Sequence, residues 1–185
     1  LLTGALRSRF GITHHLQFYS EADLLTILKR AAGLLTMKGI SDAAMGTIAR
    51  RSRGTPRVAL RLLRRVRDFA QVRARGRIDE TVISEALALE GVDDLGLDAL
   101  DRGYMRTIGT VYNGGPVGLE AIAATLSEDS GTLEDVVEPY LLQIGFLART
   151  RQGRRLTARA AEHLNLLLDF SEATAAETTL FNGEA

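Results

Sequence analysis

Gly145-Phe146-Leu147-Ala148-Arg149-Thr150-Arg151-Gln152-Gly153-Arg154-Arg155-Leu156-Thr157 decides the fold of the second half of this 185-residue chain. Gln152-Gly153 is a turn signal between two short strand-like runs, Phe146 to Thr150 and Arg155 to Thr157, so the stretch reads as a tight β-hairpin. Cations crowd its tip: Arg149, Arg151, Arg154 and Arg155 stand together with no acid between them. The turn glycine permits close backbone approach, and arginines beside it can reach phosphates across a groove. The plainer alternative is a solubilising surface hairpin. What lies upstream weighs against it.

Working outward, helical periodicity marks a helix from about Leu100 to Tyr112, a turn at Asn113-Gly114-Gly115-Pro116, and helices over Leu119 to Leu126 and about Leu133 to Gln143. A closing helix is expected through Leu168. Three helices followed by a basic hairpin is the winged-helix order, a relative of the helix-turn-helix. The helix before the hairpin would be the recognition helix, and Glu134, Asp135 and Glu138 set acids on its expected exposed side. Acids facing a phosphate backbone repel it, so this helix is not expected to read bases. Contact with nucleic acid would fall to the hairpin, be independent of sequence, and depend steeply on salt.

The acidic, glycine-bearing stretch Glu90 to Leu97 interrupts the periodicity and reads as a linker. Before it, from about Leu16, the pattern predicts four short helices in a small bundle. Ser20, with Asp23 at the capping-box position, opens the first, and Ser41-Asp42 opens the second. The third begins at Gly54-Thr55-Pro56-Arg57, where Thr55 suits the N-cap and Pro56 the first helical position. Its apolar stripe is Ala59, Leu62, Leu63, Val66, Phe69 and Ala70, leaving arginines on the flanks and outer face. Arg57 projects from the first turn, where free N–H groups and the helix dipole already favour an anion. The fourth helix covers roughly Asp79 to Glu90.

Charge is segregated although the formal total is zero. Between Arg50 and Arg77 every charge except Asp68 is an arginine, whereas from Asp79 to Asp101 every charge is acidic. Local charge is what a phosphate or a neighbouring subunit would feel. There is no cysteine, hence no disulfide or thiolate chemistry, and the three histidines, His14, His15 and His163, argue against a zinc site. The 45% apolar content is ample for a packed core, no apolar run reaches a membrane span, and no signal-peptide pattern is present, so the cytoplasm is the expected compartment.

In order along the chain, Leu6-Arg7-Ser8-Arg9-Phe10-Gly11, Phe18-Tyr19, Gly54 to Arg57, and Arg61 to Ala70 resemble the RuvB family of AAA+ branch-migration motors. The likeness continues through Gly114-Gly115-Pro116-Val117-Gly118-Leu119, Glu134-Asp135-Val136, Glu138-Pro139-Tyr140-Leu141, Gly145-Phe146-Leu147 and Arg149-Thr150, and covers roughly residues 3 to 165. It implies a mainly α chain: residues 1–15 closing a nucleotide-binding domain, 16–92 an AAA+ lid, 93–170 a winged-helix DNA-binding domain, and 171–185 a disordered tail. By resemblance Arg9 is an arginine finger reaching the γ-phosphate in the adjacent subunit, with Arg7 as backup. The same resemblance implies that Tyr19 contacts the nucleotide and that Arg57 is the second sensor of its phosphates. It also implies that Arg149 and Arg154 contact DNA, while Arg151 stands where a proline is often found in the family; Arg155 is expected to join them on the hairpin.

The implied activity is ATP-driven migration of Holliday junctions in recombination and repair, with ATP and Mg²⁺ as cofactors. The implied assembly is a homo-hexamer on the duplex arms, with RuvA and, through the complex, RuvC as partners. No Gly-x-x-x-x-Gly-Lys-Ser/Thr loop occurs in these residues, so the phosphate cradle and metal ligands are expected in a missing N-terminal part, and this chain alone should not hydrolyse ATP. The competing expectation is a free-standing winged-helix or initiator-like DNA-binding protein that does not translocate. Such a protein should carry base-reading Arg, Asn or Gln on its recognition helix.

Overall fold

Ser20 accepts the amide of Asp23 and so opens α1 (Glu21–Leu34), as Ser41 accepts that of Ala44 to open α2 (Asp42–Arg50). α3 (Pro56–Arg73) follows Thr55, whose hydroxyl makes no capping bond and donates instead to the Arg53 carbonyl at 3.1 Å. Pro56 supplies the fixed φ at the helix start in its place. Asp79 accepts the Val82 amide ahead of α4 (Glu80–Leu89). The computed structural model describes residues 16–37 and 39–168. The chain divides between Leu89 and Glu90 into two units, each with its own core.

In the first unit the apolar stripes meet as their spacing predicts. Leu24 and Leu28 of α1, Ile48 of α2, Leu62, Leu63 and Val66 of α3, and Ile83 and Leu87 of α4 are almost wholly removed from solvent. Arg57, Arg61, Arg64 and Arg65 stay on the exposed side of α3. The four-helix bundle expected from periodicity is what forms.

The second unit begins inside the acidic stretch. Its chain is folded: Asp93 accepts the amides of Leu95 and Leu97 at 3.0 and 2.8 Å, and Arg102 donates to the carbonyls of Leu97 and Gly91 at 2.6 and 2.8 Å. Val92 and Leu97 are buried. A reciprocal capping box between Asp98 and Asp101 then starts α5 (Ala99–Thr110). α6 (Leu119–Leu126) follows, and α7 spans 130–143 as a turn at Ser130–Thr132, a π-helical stretch at Leu133–Val137 and an α-helical end at Glu138–Gln143. Asp129 caps it, so that it starts at Ser130, three residues before the expected Leu133. The π stretch ends at Val137, two residues before Pro139, which has no amide to give to the carbonyl one turn back.

β1 (Leu147–Thr150) and β2 (Gly153–Leu156) pair antiparallel, and α8 (Ala158–His163) closes the described fold. The helix expected to run through Leu168 stops at His163. Asn165 adopts a left-handed φ of 54°, and the Leu166 amide donates back to the Ala161 carbonyl at 2.8 Å, a Schellman-type stop. The second unit is thus a winged helix, with Tyr104, Met105, Ile108, Leu133, Leu141, Leu147 and Leu156 at its centre.

Candidate nucleic-acid interface

Strand register assigns each hairpin arginine to a face. Leu147 lies opposite Leu156, Ala148 opposite Arg155, Arg149 opposite Arg154, and Thr150 opposite Gly153. Side chains alternate along a strand, so Leu147, Arg149, Arg154 and Leu156 share the face that closes on the core. Arg155 lies on the other face, and Arg151 is exposed in the turn. Neither Arg151 nor Arg155 makes an ion pair among the described residues. Beyond β2 the hairpin is held by the 114–117 segment. Arg154 donates to the Val117 carbonyl at 2.7 Å, and its own carbonyl accepts from Val117 at 2.9 Å. At Gly153, with φ 138°, a side chain would collide with that Val117 carbonyl, so the turn position admits only glycine.

Arg149 and Arg154 converge on one carboxylate. Glu138 Oε1 accepts from Tyr104 Oη at 2.7 Å and from Arg154 Nε at 2.8 Å. Its Oε2 accepts from Arg149 Nε at 2.7 Å and also meets Arg149 Nη2. The Glu138 side chain is 0% exposed, against 19% for Arg154 and 44% for Arg149. Burial by itself would raise this carboxyl, but the hydrogen bonds from Arg154, Tyr104 and Arg149 outweigh it and hold it below the ordinary glutamate range. Burial and the Glu138 hydrogen bond push the Tyr104 phenol far up, so it stays a neutral donor. Glu138 therefore does not face solvent beside Glu134 and Asp135, as its helical position suggested. The long-range arginines make burial of its charge tolerable.

A second corner forms at the head of α3. The Tyr19 amide donates to the Gly54 carbonyl at 2.8 Å, and Gly54 takes a φ of 62°. A Cβ there would sit 2.7 Å from Phe18 Cβ, so glycine lets the 18–19 segment lie against the turn. Tyr19, half exposed, and Arg57, exposed in the first turn of α3, are thereby brought to the same end of the bundle. Arg7 and Arg9 lie outside the described residues, as do His14, His15 and the 171–185 tail.

Residues 19–93 match the family model described as the RuvB AAA lid domain, and residues 94–165 match the RuvB C-terminal winged helix domain. The chain belongs to the RuvB family. It is similar to the Holliday junction branch migration complex subunit RuvB of Ligilactobacillus salivarius, with 52% identity over 166 residues, 90% of this chain and 49% of the relative. The corresponding subunit of Lactococcus lactis subsp. cremoris is 49% identical over 172 residues, 93% of this chain and 51% of the relative. Among solved structures, the Thermotoga maritima RuvB Holliday junction branch migration motor aligns with a TM-score of 0.86 at 49% identity, over 91% of this chain and 56% of that one. The chain spans about half the length of the curated relatives it matches.

Within this RuvB-family wing, sequence reasoning missed the roles of Glu138 and Tyr104. Their partners lie 34, 16 and 11 positions apart in the chain, beyond any helical or hairpin spacing. A local signal did exist in Pro139, whose missing amide marks a break in the regular helical ladder where Glu138 turns inward.

Proposed function

We propose that this chain is the lid and winged-helix portion of a subunit that drives branch migration of Holliday junctions, the lid responding to ATP and the wing gripping duplex arms. The observation that carries the DNA half of this reading is the unpaired cationic edge of the wing, Arg151 in the exposed turn and Arg155 on the outer strand face. The partly exposed Arg149 fork lies beside them. These side chains meet phosphates in any sequence, while the middle of α7 exposes Glu134, Asp135 and Val136, none of which can donate to a base edge, and its exposed amide, Gln143, stands at the C-terminal end of the helix. A translocating motor needs such indifference to sequence.

At the lid, Arg57 is exposed and α3 has no side-chain cap, so its first-turn amides fit an anion. ATP with Mg²⁺ supplies the cleavable phosphoanhydride; its phosphate loop is not in this sequence. Tyr19 and Arg57 would contact the nucleotide from the lid of the same subunit, and Arg9 would reach across to the neighbour's γ-phosphate in a homo-hexamer. Arg57 then couples the phosphate state to lid position, and lid movement carries the wing. RuvA and RuvC are the partners this reading implies.

The test is anisotropy of a labelled four-way junction and of two unrelated duplexes titrated with this chain across a salt series. Equal affinity for both duplexes is expected, falling steeply with salt. The Arg151→Ala/Arg155→Ala double variant should weaken both and reduce the log–log salt slope by about 2. Marked preference for one duplex would favour a sequence-reading DNA-binding protein, and no binding would end the proposal.

A further inference from the structure

Glu134 and Glu138 lie four residues apart on α7, and both carboxylates reach the same two arginines, yet on opposite terms. Glu138 is buried and takes the Nε groups of Arg149 and Arg154 at 2.7 and 2.8 Å. Glu134 is 47% exposed, and its Oε1 stands 3.3 Å from Arg149 Nη2 and 3.7 Å from Arg154 Nη2. Glu138 anchors the Nε edge of both guanidiniums and also meets Arg149 Nη2, while Glu134 lies loosely over the outer side of the two Nη2 groups. The remaining polar group in the cluster, the Tyr104 hydroxyl, is committed to Glu138.

We propose that Glu134 is a removable stand-in for a DNA phosphate: it screens the Nη2 ends of Arg149 and Arg154 in the free wing and gives way when a backbone phosphate arrives. Glu138 remains in place as a positioning residue that aims both forks. The inference rests on the proposed DNA-binding role of the wing. Its physical basis is an asymmetry of cost. Displacing Glu134 breaks two long ion pairs, one half exposed on both sides and one to the less exposed Arg154, each weak at its distance and open to water through Glu134. Displacing Glu138 would strand a buried charge and a buried phenol. A phosphate oxygen offers a guanidinium edge a charge-assisted, geometrically matched contact that Glu134 does not achieve at its present distances. Two acids and two arginines cancel in the free wing, so Arg151 and Arg155 provide its uncompensated charge until Glu134 moves.

Duplex binding by the native chain, Glu134→Gln, Asp135→Asn and Arg151→Ala/Arg155→Ala decides the matter. Asp135 is a neighbouring exposed acid with no ion pair to an arginine among the described residues. Glu134→Gln should tighten binding about three- to tenfold, the scale of two weak surface pairs no longer competing. Asp135→Asn should change it by less than about twofold, because a separated exposed charge is screened. Equal gains in the two variants would reduce Glu134 to bulk charge and overturn the proposal, as would an unchanged or weakened Glu134→Gln. If native chain and double arginine variant bind duplex alike, the DNA-binding reading itself fails. A second readout is side-chain ¹⁵N NMR. On adding duplex, the Nε–H signals of Arg149 and Arg154 should hold their positions, with Glu138 still bound, while their Nη signals move. Movement of the Nε–H signals would show that Glu138, too, is displaced.

Discussion

Arginines crowd two parts of this molecule, the outer face of α3 and the hairpin, and the two groups differ in what holds them. On α3, Arg57, Arg61 and Arg64 follow one another along an exposed stripe and make no ion pair among the described residues. Leu62, Leu63 and Val66 on the opposite face anchor the helix, and the cations are spectators of folding. On the hairpin, Arg149 and Arg154 are part of the fold: a buried carboxylate cannot stay buried without them. Crowded arginines therefore mean different things: Arg57, Arg61 and Arg64 are uncompensated on α3, whereas two of the four hairpin arginines, Arg149 and Arg154, are compensated. A count of cations along the chain overstates the field of the wing.

Four measurements would break or sharpen this contrast. Leu62→Ala removes a wholly buried side chain and should cost the first unit about 3–4 kcal/mol by calorimetry or denaturant titration; a loss below about 1 kcal/mol would mean that the apolar stripe is not what anchors α3. Glu138→Ala should destabilise the winged helix by about 3 kcal/mol, the low end for a broken buried pair because Arg149 is partly exposed. The pH dependence has a definite sign. Since the folded Glu138 carboxyl titrates below its usual range, its contribution is present above an unfolded value of about 4.3 and is lost as the pH falls through the folded value. Glu138→Gln should flatten that acid limb, and an unaltered limb would assign it to other groups. Smallest of all, Arg61→Ala should shift stability by under about 0.5 kcal/mol, as for a solvated surface position. A larger loss would place Arg61 in a network like that of the wing.

The sequence was most legible where interactions are local. The Ser20 and Ser41 caps, the stripe of α3 and α6 at Leu119–Leu126 all follow from spacing within a few residues, and the hairpin forms with its turn one residue earlier than expected, at Arg151-Gln152, Gly153 opening β2. Legibility failed where a distant group decides. Glu138 falls on a face that helical geometry alone leaves to solvent, and only the wing folding back over α7 explains its burial. The early stop of α8 at His163 failed for a subtler reason: Leu164, Leu166 and Leu168 continue an apolar pattern, but Asn165 tolerates the left-handed turn that ends the helix. The nucleotide roles proposed for Arg9, Tyr19 and Arg57 rest on family likeness, and from the residues alone only Arg57, at a helix start, carries a preference for an anion.

The Tyr19–Gly54 contact has a mechanical reading. A displacement of the segment before α1 need not travel through the packed leucines to reach α3. It crosses one amide–carbonyl link, from Tyr19 to Gly54, into the turn that leads to Arg57 at the start of α3. The bundle then behaves as a crank with its handle fixed at the arginine end, and substituting Gly54 would loosen the handle while leaving the crank intact.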